Sequence, residues 1–165
     1  SLKPVVVVIN CSEAEVASEA FADLHAAARE LGAVSLQFCA PLETEIAGLK
    51  EEERGAFLED FGIEEPARDR LIRAAYEALG LISFFTVGED EVRAWTRRRG
   101  AAAREAGGAI HTDIARGFIR AEVVRWDALL KQGSLAACRE SADLRLEGKE
   151  YPVSDGDVIH FRFNV

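Results

Sequence analysis

The sequence predicts two domains of different class, an α/β segment over residues 1–80 and an α+β domain of the β-grasp, ubiquitin-like class over residues 81–165. The first prediction depends on a strand, an amphipathic helix and a second strand in succession, which is the order of a βαβ unit with a parallel sheet. The second depends on two strands, a helix, a third strand and two late strands within about 80 residues. Acidic helical sequence gives way to strands rich in Ile and Phe after Gly80.

In the first domain, residues 5–9 form a continuous run of β-branched residues, which is typical of a strand buried on both faces. Ser12 and Glu15 have the spacing of a capping box, and apolar residues from 13 to 31 fall on one helical stripe. We therefore predict a helix over residues 13–31 and a second strand over 34–39.

Three acidic helices are predicted to follow, over residues 42–49, over 51–61 and from Pro66 to Gly80, after Pro41 has ended the second strand. Residues 1–80 hold 7 Lys or Arg against 16 Asp or Glu, a net charge of −9, whereas residues 81–165 hold 13 of each. The first domain is therefore expected to repel nucleic-acid phosphates.

The second domain is predicted to begin with a hairpin, because residues 81–87 and 92–98 read as strands around an acidic turn at 88–91. Residues 92–98 alternate in polarity, which is typical of a half-exposed strand. The remaining elements are predicted as strands over 118–124, 144–146 and 158–163, and as helices over 109–115, 127–131 and 135–141.

The composition favours a cytoplasmic protein. Three cysteines without Cys-x-x-Cys spacing (Cys11, Cys39 and Cys138) argue against a disulfide framework and a structural zinc site. No apolar run approaches the roughly 20 residues of a membrane helix, so no membrane partner is expected. The first residue is Ser1 and no Met occurs, so we expect the sequence to be a fragment of a longer protein.

Three stretches of sequence, residues 84–96, 107–123 and 155–165, closely resemble the C-terminal TGS domain of YchF-type proteins. These proteins are P-loop NTPases of the Obg-related group, in the TRAFAC class, and are unusual in preferring ATP to GTP. The resemblance extends through nearly all of the chain. It implies that residues 81–165 are the TGS domain, and that residues 1–80 are an α/β remnant of the P-loop NTPase domain.

The resemblance also implies a site for the nucleotide base. In the family an Asn-x-x-Glu motif replaces the Asn-Lys-x-Asp of GTPases, whose Asp accepts the N1 and N2 donors of guanine. Adenine has no such donors, so the change removes the guanine clamp, while the Asn still meets the purine N7 edge. The implied base-binding residues are Asn10, Cys11, Ser12 and Glu13, with Cys39 and Ala40 in the loop that backs the base.

The sequence contains no Gly-x-x-x-x-Gly-Lys-Ser/Thr phosphate loop. We therefore predict no catalytic and no metal-binding residue in this chain, and no tight binding of a cofactor by this chain alone. The resemblance implies that ATP or GTP with magnesium binds the intact parent, an ATPase or GTPase, whose upstream nucleotide-binding half is a partner of this chain.

A basic cluster marks the second predicted strand of the second domain, and its residues are Arg93, Trp95, Arg97, Arg98 and Arg99. Basic side chains beside an aromatic ring suit RNA phosphates and a base, so ribosome or RNA contact is predicted. A solvated strand edge protected by charge explains the same pattern. A module that binds protein partners without RNA also remains open, whereas an independent enzyme is disfavoured because no nucleophile–base–orienter set is apparent.

Overall fold

The computed structural model describes residues 3–88 and 91–164. The chain forms two compact units, Ser1–Leu79 and Gly80–Val165, which are described separately below. Part of the predicted acidic turn over residues 88–91 lies outside the described residues. Among the described residues, no helix is both long and apolar enough to cross a membrane.

The first unit contains two strands and four helices within its described part. Strands β1 and β2 are parallel, and their register runs from Val6 opposite Val34 to Asn10 opposite Phe38, as predicted for a βαβ unit. The elements are β1 (Val6–Asn10), α1 (Ala22–Glu30), β2 (Val34–Phe38), α2 (Ala40–Gly48), α3 (Glu51–Asp60) and α4 (Ala67–Ala78).

The predicted start of the first helix is wrong, because α1 begins at Ala22 and residues 12–21 form turns. The Gln37 side-chain amide donates to the backbone carbonyls of Glu15, Val16 and Ser18, at 3.1, 2.9 and 2.8 Å. In a helix those carbonyls would accept from amides four residues later. A tertiary contact from β2 therefore replaces the helical turns that the apolar stripe favours.

The predicted burial of the first strand on both faces is also wrong. No residue of β1 is fully buried, and Val8 is 43% exposed. Among the described residues β1 pairs with β2 alone, so the sheet has two strands where a covered parallel sheet has more. The helix predicted after Pro41 starts earlier, at Ala40, because proline fits the first helical turn, where its missing N–H is not needed.

The second unit has a five-stranded sheet flanked by four short helices in its described part. The strands are β3 (Leu81–Val87), β4 (Val92–Arg98), β5 (Phe118–Arg125), β6 (Arg145–Glu147) and β7 (Asp157–Phe163). The helices are α5 (Ala103–Ile110), α6 (Thr112–Arg116), α7 (Trp126–Gln132) and α8 (Leu135–Glu140). The order across the sheet is β4-β3-β7-β5-β6, and only the β3–β7 pair is parallel.

The single helix predicted over residues 109–115 is wrong, because two helices, α5 and α6, occupy this region. His111 separates them in an extended conformation, with φ −157° and ψ 141°. Its Nδ1 accepts a hydrogen bond from the Asp113 amide at 3.2 Å, which caps α6. A histidine cap is not among the usual Ser, Thr, Asp and Asn caps, so the break is hard to detect in sequence.

The sheet of the second unit is covered on both faces. Ile114 of α6 packs with Val123 and Ile159 in one buried cluster, and Cys138 of α8 packs with Val124 and Val158 in another. Successive residues of a strand point to opposite faces. The α5–α6 pair and the α7–α8 pair therefore lie on opposite faces of the sheet.

Candidate functional site

The two segments predicted to bind the nucleotide base meet at the carboxyl ends of β1 and β2. Asn10 is the last residue of β1, and Cys39 and Ala40 follow β2 at the start of α2. The Asn10 Oδ1 accepts a hydrogen bond from the Ala40 amide at 3.1 Å, and the Cys11 amide donates to the Phe38 carbonyl at 2.9 Å. Ligands of open α/β sheets bind outside the carboxyl ends of strands, so the position suits a binding site.

Cys11 and Ser12 are held in a tight turn after β1. The Cys11 thiol donates to the Phe38 carbonyl at 3.3 Å, and burial, with contributions from the Cys39 thiol and the Glu15 carboxylate, raises the pKa of Cys11. The Ser12 hydroxyl and amide both donate to Glu15 Oε2, at 2.6 and 3.1 Å, and these hydrogen bonds lower the pKa of Glu15. The predicted capping contact therefore forms, although a turn rather than a helix follows it.

Glu13, which the resemblance predicts in place of the Asp of a GTPase, is exposed beyond this turn. Cys39 is buried, whereas Asn10 and Ser12 are exposed and Ala40 is half-buried. The accessible groups of the site are therefore the side chains of Asn10, Ser12 and Glu13 and the main chain between them.

A hydrogen-bonded series that sequence reasoning missed joins Ser35, His25 and Gln37. Ser35 Oγ lies 2.7 Å from His25 Nδ1, and His25 Nε2 lies 2.9 Å from Gln37 Oε1. Because the Gln37 amide nitrogen already donates to backbone carbonyls, its oxygen faces the histidine and accepts from His25 Nε2. Nδ1 is then the acceptor from the serine hydroxyl. The order resembles a catalytic triad, but the glutamine fastens residues 15–18, which gives the series a structural use.

The basic residues of β4 do not share one face. Trp95 is half-buried against the cluster of Ile82 and Phe84, and the Arg93 guanidinium lies 4.3 Å from the centre of its indole ring. The indole N–H donates to Thr86 Oγ1 at 3.0 Å. Alternation places Arg97 on the same face as Trp95, whereas Arg98 lies on the opposite face and Arg99 follows the strand. β4 is an edge strand of the sheet.

A second basic cluster, which sequence reasoning missed, surrounds a buried carboxylate on the α7–α8 face. Glu122 Oε1 accepts a hydrogen bond from Arg139 at 3.0 Å and another from Arg162. Burial alone would raise the pKa of Glu122, but the two arginines outweigh it and lower that pKa. In the sequence, this cluster is indicated by Arg120 and Glu122, which lie two residues apart on one strand. The arginines that bond Glu122 come from other elements.

No group of three or more His, Cys, Asp or Glu in the described ranges is arranged to hold a metal ion. The three cysteines are free thiols.

One known protein family matches the part of the chain that contains the sheet of the second unit. The model of the family YchF-GTPase_C, described as a protein of unknown function (DUF933), matches residues 81–164. This chain belongs to the YchF family. The resemblance identified from the sequence is therefore confirmed, and the structure has the mixed α/β content of the C-terminal region of YchF GTPases.

Relatives of this chain in the YchF family match it almost end to end. The "Ribosome-binding ATPase YchF" of Bacillus subtilis is 51% identical over 167 residues, which cover 99% of this chain and 46% of the relative. The protein of the same name from Haemophilus ducreyi is 46% identical over 166 residues, covering 100% of this chain and 46% of the relative. The chain thus spans about half the length of these relatives.

Two solved structures are similar to this chain. The YchF GTPase of Schizosaccharomyces pombe superposes with a TM-score of 0.81 at 30% identity, over 97% of this chain and 43% of that one. A GTP binding protein from Pyrococcus horikoshii superposes with a TM-score of 0.67 at 17% identity, over 98% of this chain and 46% of that one. The second likeness shows the fold alone.

Proposed function

We propose that this chain is the C-terminal part of a cytoplasmic, ribosome-associated protein that binds ATP or GTP. In this proposal residues 1–80 complete the nucleotide-binding domain and supply its base-recognition segment. Residues 81–165 form a TGS domain that contacts RNA or the ribosome, or regulates the nucleotide site. The observation that carries the proposal is the hydrogen bond from the Ala40 amide to Asn10, because it joins the two base-binding segments.

The chemistry of the segment suits a purine without the guanine donors. With its Oδ1 engaged by Ala40, the Asn10 side chain presents its NH₂ group, which is a donor for the purine N7. The main chain around Cys11 then faces the six-membered ring edge, and Glu13 stands where a GTPase has its guanine-binding Asp. The phosphates and magnesium belong to residues of the upstream half, because this sequence has no phosphate loop.

The strand order supports the assignment of the second unit as a β-grasp fold of the TGS type. Numbered within the unit, its strands lie in the order second, first, fifth, third and fourth. The first and last strands, β3 and β7, are parallel neighbours at the centre of the sheet. This central parallel pair, flanked by antiparallel pairs, is the arrangement that the sequence order of elements predicts for a β-grasp domain.

RNA contact is proposed for the basic strand β4 and the residue after it. Arg98 and Arg99 are exposed at the end of the edge strand, and Arg97 is half-buried beside them. Since the guanidinium of Arg93 covers one face of Trp95, we assign the indole to holding Arg93 in place for a phosphate contact.

Contact with a protein partner, without RNA, is the second candidate. It is favoured by the exposure of Trp126 and Leu130, which lie four residues apart on α7 and so share one side of that helix. An exposed aromatic and aliphatic pair is typical of protein interfaces.

The test is sedimentation of the chain with purified bacterial ribosomes at salt concentrations from 50 to 200 mM (about the range over which phosphate contacts weaken). Changing Arg97, Arg98 and Arg99 to Ala is expected to lower the slope of log K against log salt by about 1 for each phosphate that the variant no longer binds. A control with Lys3, Arg29 and Arg68 changed to Ala removes the same charge from the first unit, and is expected to bind like the unaltered chain. An unaltered slope in the β4 variant would refute the RNA assignment of this strand.

A further inference from the structure

We propose that the α7–α8 face of the second unit carries a separate RNA-phosphate site, formed by Arg139 and Arg162 at Glu122 together with Arg120 on the same face of the sheet. The site lies on three elements, because Arg120 is on β5, Arg139 is on α8 and Arg162 is on β7. The proposal deepens the proposed ribosome contact and rests on it. It names a surface distinct from the basic residues of β4.

The buried carboxylate has one more cation than its charge requires. Glu122 is 6% exposed, and its Oε1 accepts hydrogen bonds from both Arg139 and Arg162. A single guanidinium would neutralise it, so the trio carries a net charge of one positive unit. One positive charge of the trio is therefore not balanced within it and can attract an anion.

Glu122 holds Arg139 and Arg162 in place without occupying all of their hydrogen-bond donors. Each places one nitrogen at Glu122, while a guanidinium has five N–H donors. Their side chains remain 57% and 52% exposed, so donors that do not face Glu122 point towards solvent. Because the carboxylate fixes both side chains beforehand, an incoming phosphate orders fewer rotamers when it binds. Arginine forks fit the oxygens of a phosphate in a bidentate manner.

The strand register adds a third cation and an imidazole to this surface. Arg120 on β5 is the cross-strand partner of Arg162 on β7, and His160 is the partner of Glu122. Paired residues of neighbouring strands project from the same face of a sheet. Arg120 and His160 are both exposed. Arg120 is therefore a third arginine on the face where Arg139 and Arg162 pair with Glu122, on a unit whose total charge is zero.

The phosphodiester backbone of RNA is the occupant that this surface fits. The cations are all arginines, the residue suited to phosphate oxygens, and they come from two strands and a helix. Arg139 and Arg162 meet at one oxygen of Glu122 and suit one phosphate, while Arg120, on the same face of the sheet, offers a further cation to the same backbone.

The test uses the full chain and two single variants, Arg139→Gln and Arg120→Gln. In the first, Glu122 keeps its hydrogen bond from Arg162, so the buried carboxylate stays paired. The second removes a cation and leaves both hydrogen bonds to Glu122 in place. Arg116→Gln is the matched control, because Arg116 is an exposed arginine on α6, on the opposite face, and is paired at 2.9 Å with Asp113. Circular dichroism of each variant verifies that the fold is retained.

Binding is measured to purified bacterial ribosomes and to protein-free ribosomal RNA at several salt concentrations. We expect Arg139→Gln and Arg120→Gln each to weaken binding by about 3- to 10-fold, and to lower the salt slope by about 1. The Arg116→Gln control is expected to match the unaltered chain within a factor of about 2.

Three other outcomes overturn the inference in distinguishable ways. If the unaltered chain binds neither ribosomes nor ribosomal RNA, the proposed ribosome contact fails, and this site fails with it. If the unaltered chain binds and both site variants bind equally well, this site is refuted while the proposed function stands. If the variants lose binding to ribosomes but the unaltered chain ignores protein-free RNA, the surface recognises an acidic protein and the RNA assignment is wrong.

Discussion

The burial of strands β1 and β7 is the reverse of what their sequences suggest. β1 is almost wholly aliphatic, yet none of its residues is fully buried. β7 contains Asp157, His160 and Arg162, yet most of its residues are buried. The difference follows from their neighbours, because β7 lies between β3 and β5, whereas β1 is paired with β2 alone in the described structure.

Position in the sheet, rather than composition, decides how much of β1 and of β7 is buried. The apolar content of β1 suits a strand with neighbours on both edges and helices on both faces. Its exposure supports the proposal that the upstream half of the nucleotide-binding domain is a partner of this chain. β7 already has both neighbours within the second unit, which accounts for its tolerance of charged residues on the α7–α8 face.

The largest expected effect comes from truncating one aliphatic residue in each strand. Ile159→Ala on β7 removes a side chain that is 1% exposed, and we expect a loss of about 3 to 4 kcal/mol in the free energy of unfolding of the second unit. Val8→Ala on β1 removes a half-exposed side chain, and less than about 1 kcal/mol is expected.

Denaturant unfolding separates the two effects. Both tryptophans of the chain, Trp95 and Trp126, lie in the second unit, so their fluorescence follows that unit, while far-UV circular dichroism follows both. The proposed contrast between the strands is wrong if Val8→Ala lowers the free energy of unfolding as much as Ile159→Ala does. Comparable losses would mean that β1 is packed as tightly as β7 without its upstream neighbours.

A second, smaller effect is expected at Gln37, the side chain that replaces the predicted first helical turns. Gln37→Leu keeps a similar volume but removes the donors to the carbonyls of residues 15, 16 and 18. We expect a loss of about 1 to 3 kcal/mol from the first unit, because partly buried carbonyls lose their partners. Hydrogen exchange of residues 12–21 should accelerate in the same variant.

Gln132→Leu is the matched control for this prediction. Gln132 makes one exposed hydrogen bond to Asp143, so its change is expected to stay within about 0.5 kcal/mol. Unchanged or slower exchange of residues 12–21 in Gln37→Leu would contradict the prediction. Slower exchange would show that the apolar stripe forms a helix once the glutamine is removed.

The sequence predicts local features of this fold better than contacts between distant residues. The strands of the second unit follow from runs of β-branched and aromatic residues, and the structure places the first of them where predicted, at Leu81–Val87. The start of α1 is mispredicted because the competing hydrogen bonds come from Gln37, about twenty residues away. The split between α5 and α6 depends on the backbone conformation of His111, for which the side chain gives little signal.

The candidate sites show the same difference between local features and contacts of distant residues. The residues predicted to bind the base include a short motif at the end of a strand, so the family resemblance alone points to Asn10 and Ala40, and the structure joins these two residues by a hydrogen bond. The Glu122 cluster draws its arginines from β7 and α8, and pairing between elements is not readable from one sequence. The sequence predicts Trp95 and its basic neighbours as one surface, but strand alternation distributes them over two faces.

The smallest expected effect concerns the charged residues that β5, α8 and β7 bring together on the α7–α8 face. Since the pKa of Glu122 is lower in the folded state than its unfolded value of about 4.3, its ionised form stabilises the fold above that pH. This contribution disappears as pH falls through the folded pKa. Glu122→Gln should therefore cost about 1 kcal/mol near pH 7, because its arginine partners are half-exposed, and the cost should shrink below about pH 4.

Chemical unfolding of the two proteins at a series of pH values, followed by tryptophan fluorescence, measures this difference directly. Glu140→Gln provides the control, since Glu140 is exposed on α8 and its loss is expected to leave the pH profile parallel to that of the unaltered chain. A constant difference between Glu122→Gln and the unaltered chain from about pH 7 to about pH 3 would argue against an ionised Glu122. The ion pairs of Glu122 with Arg139 and Arg162 would then add nothing to the stability of the second unit.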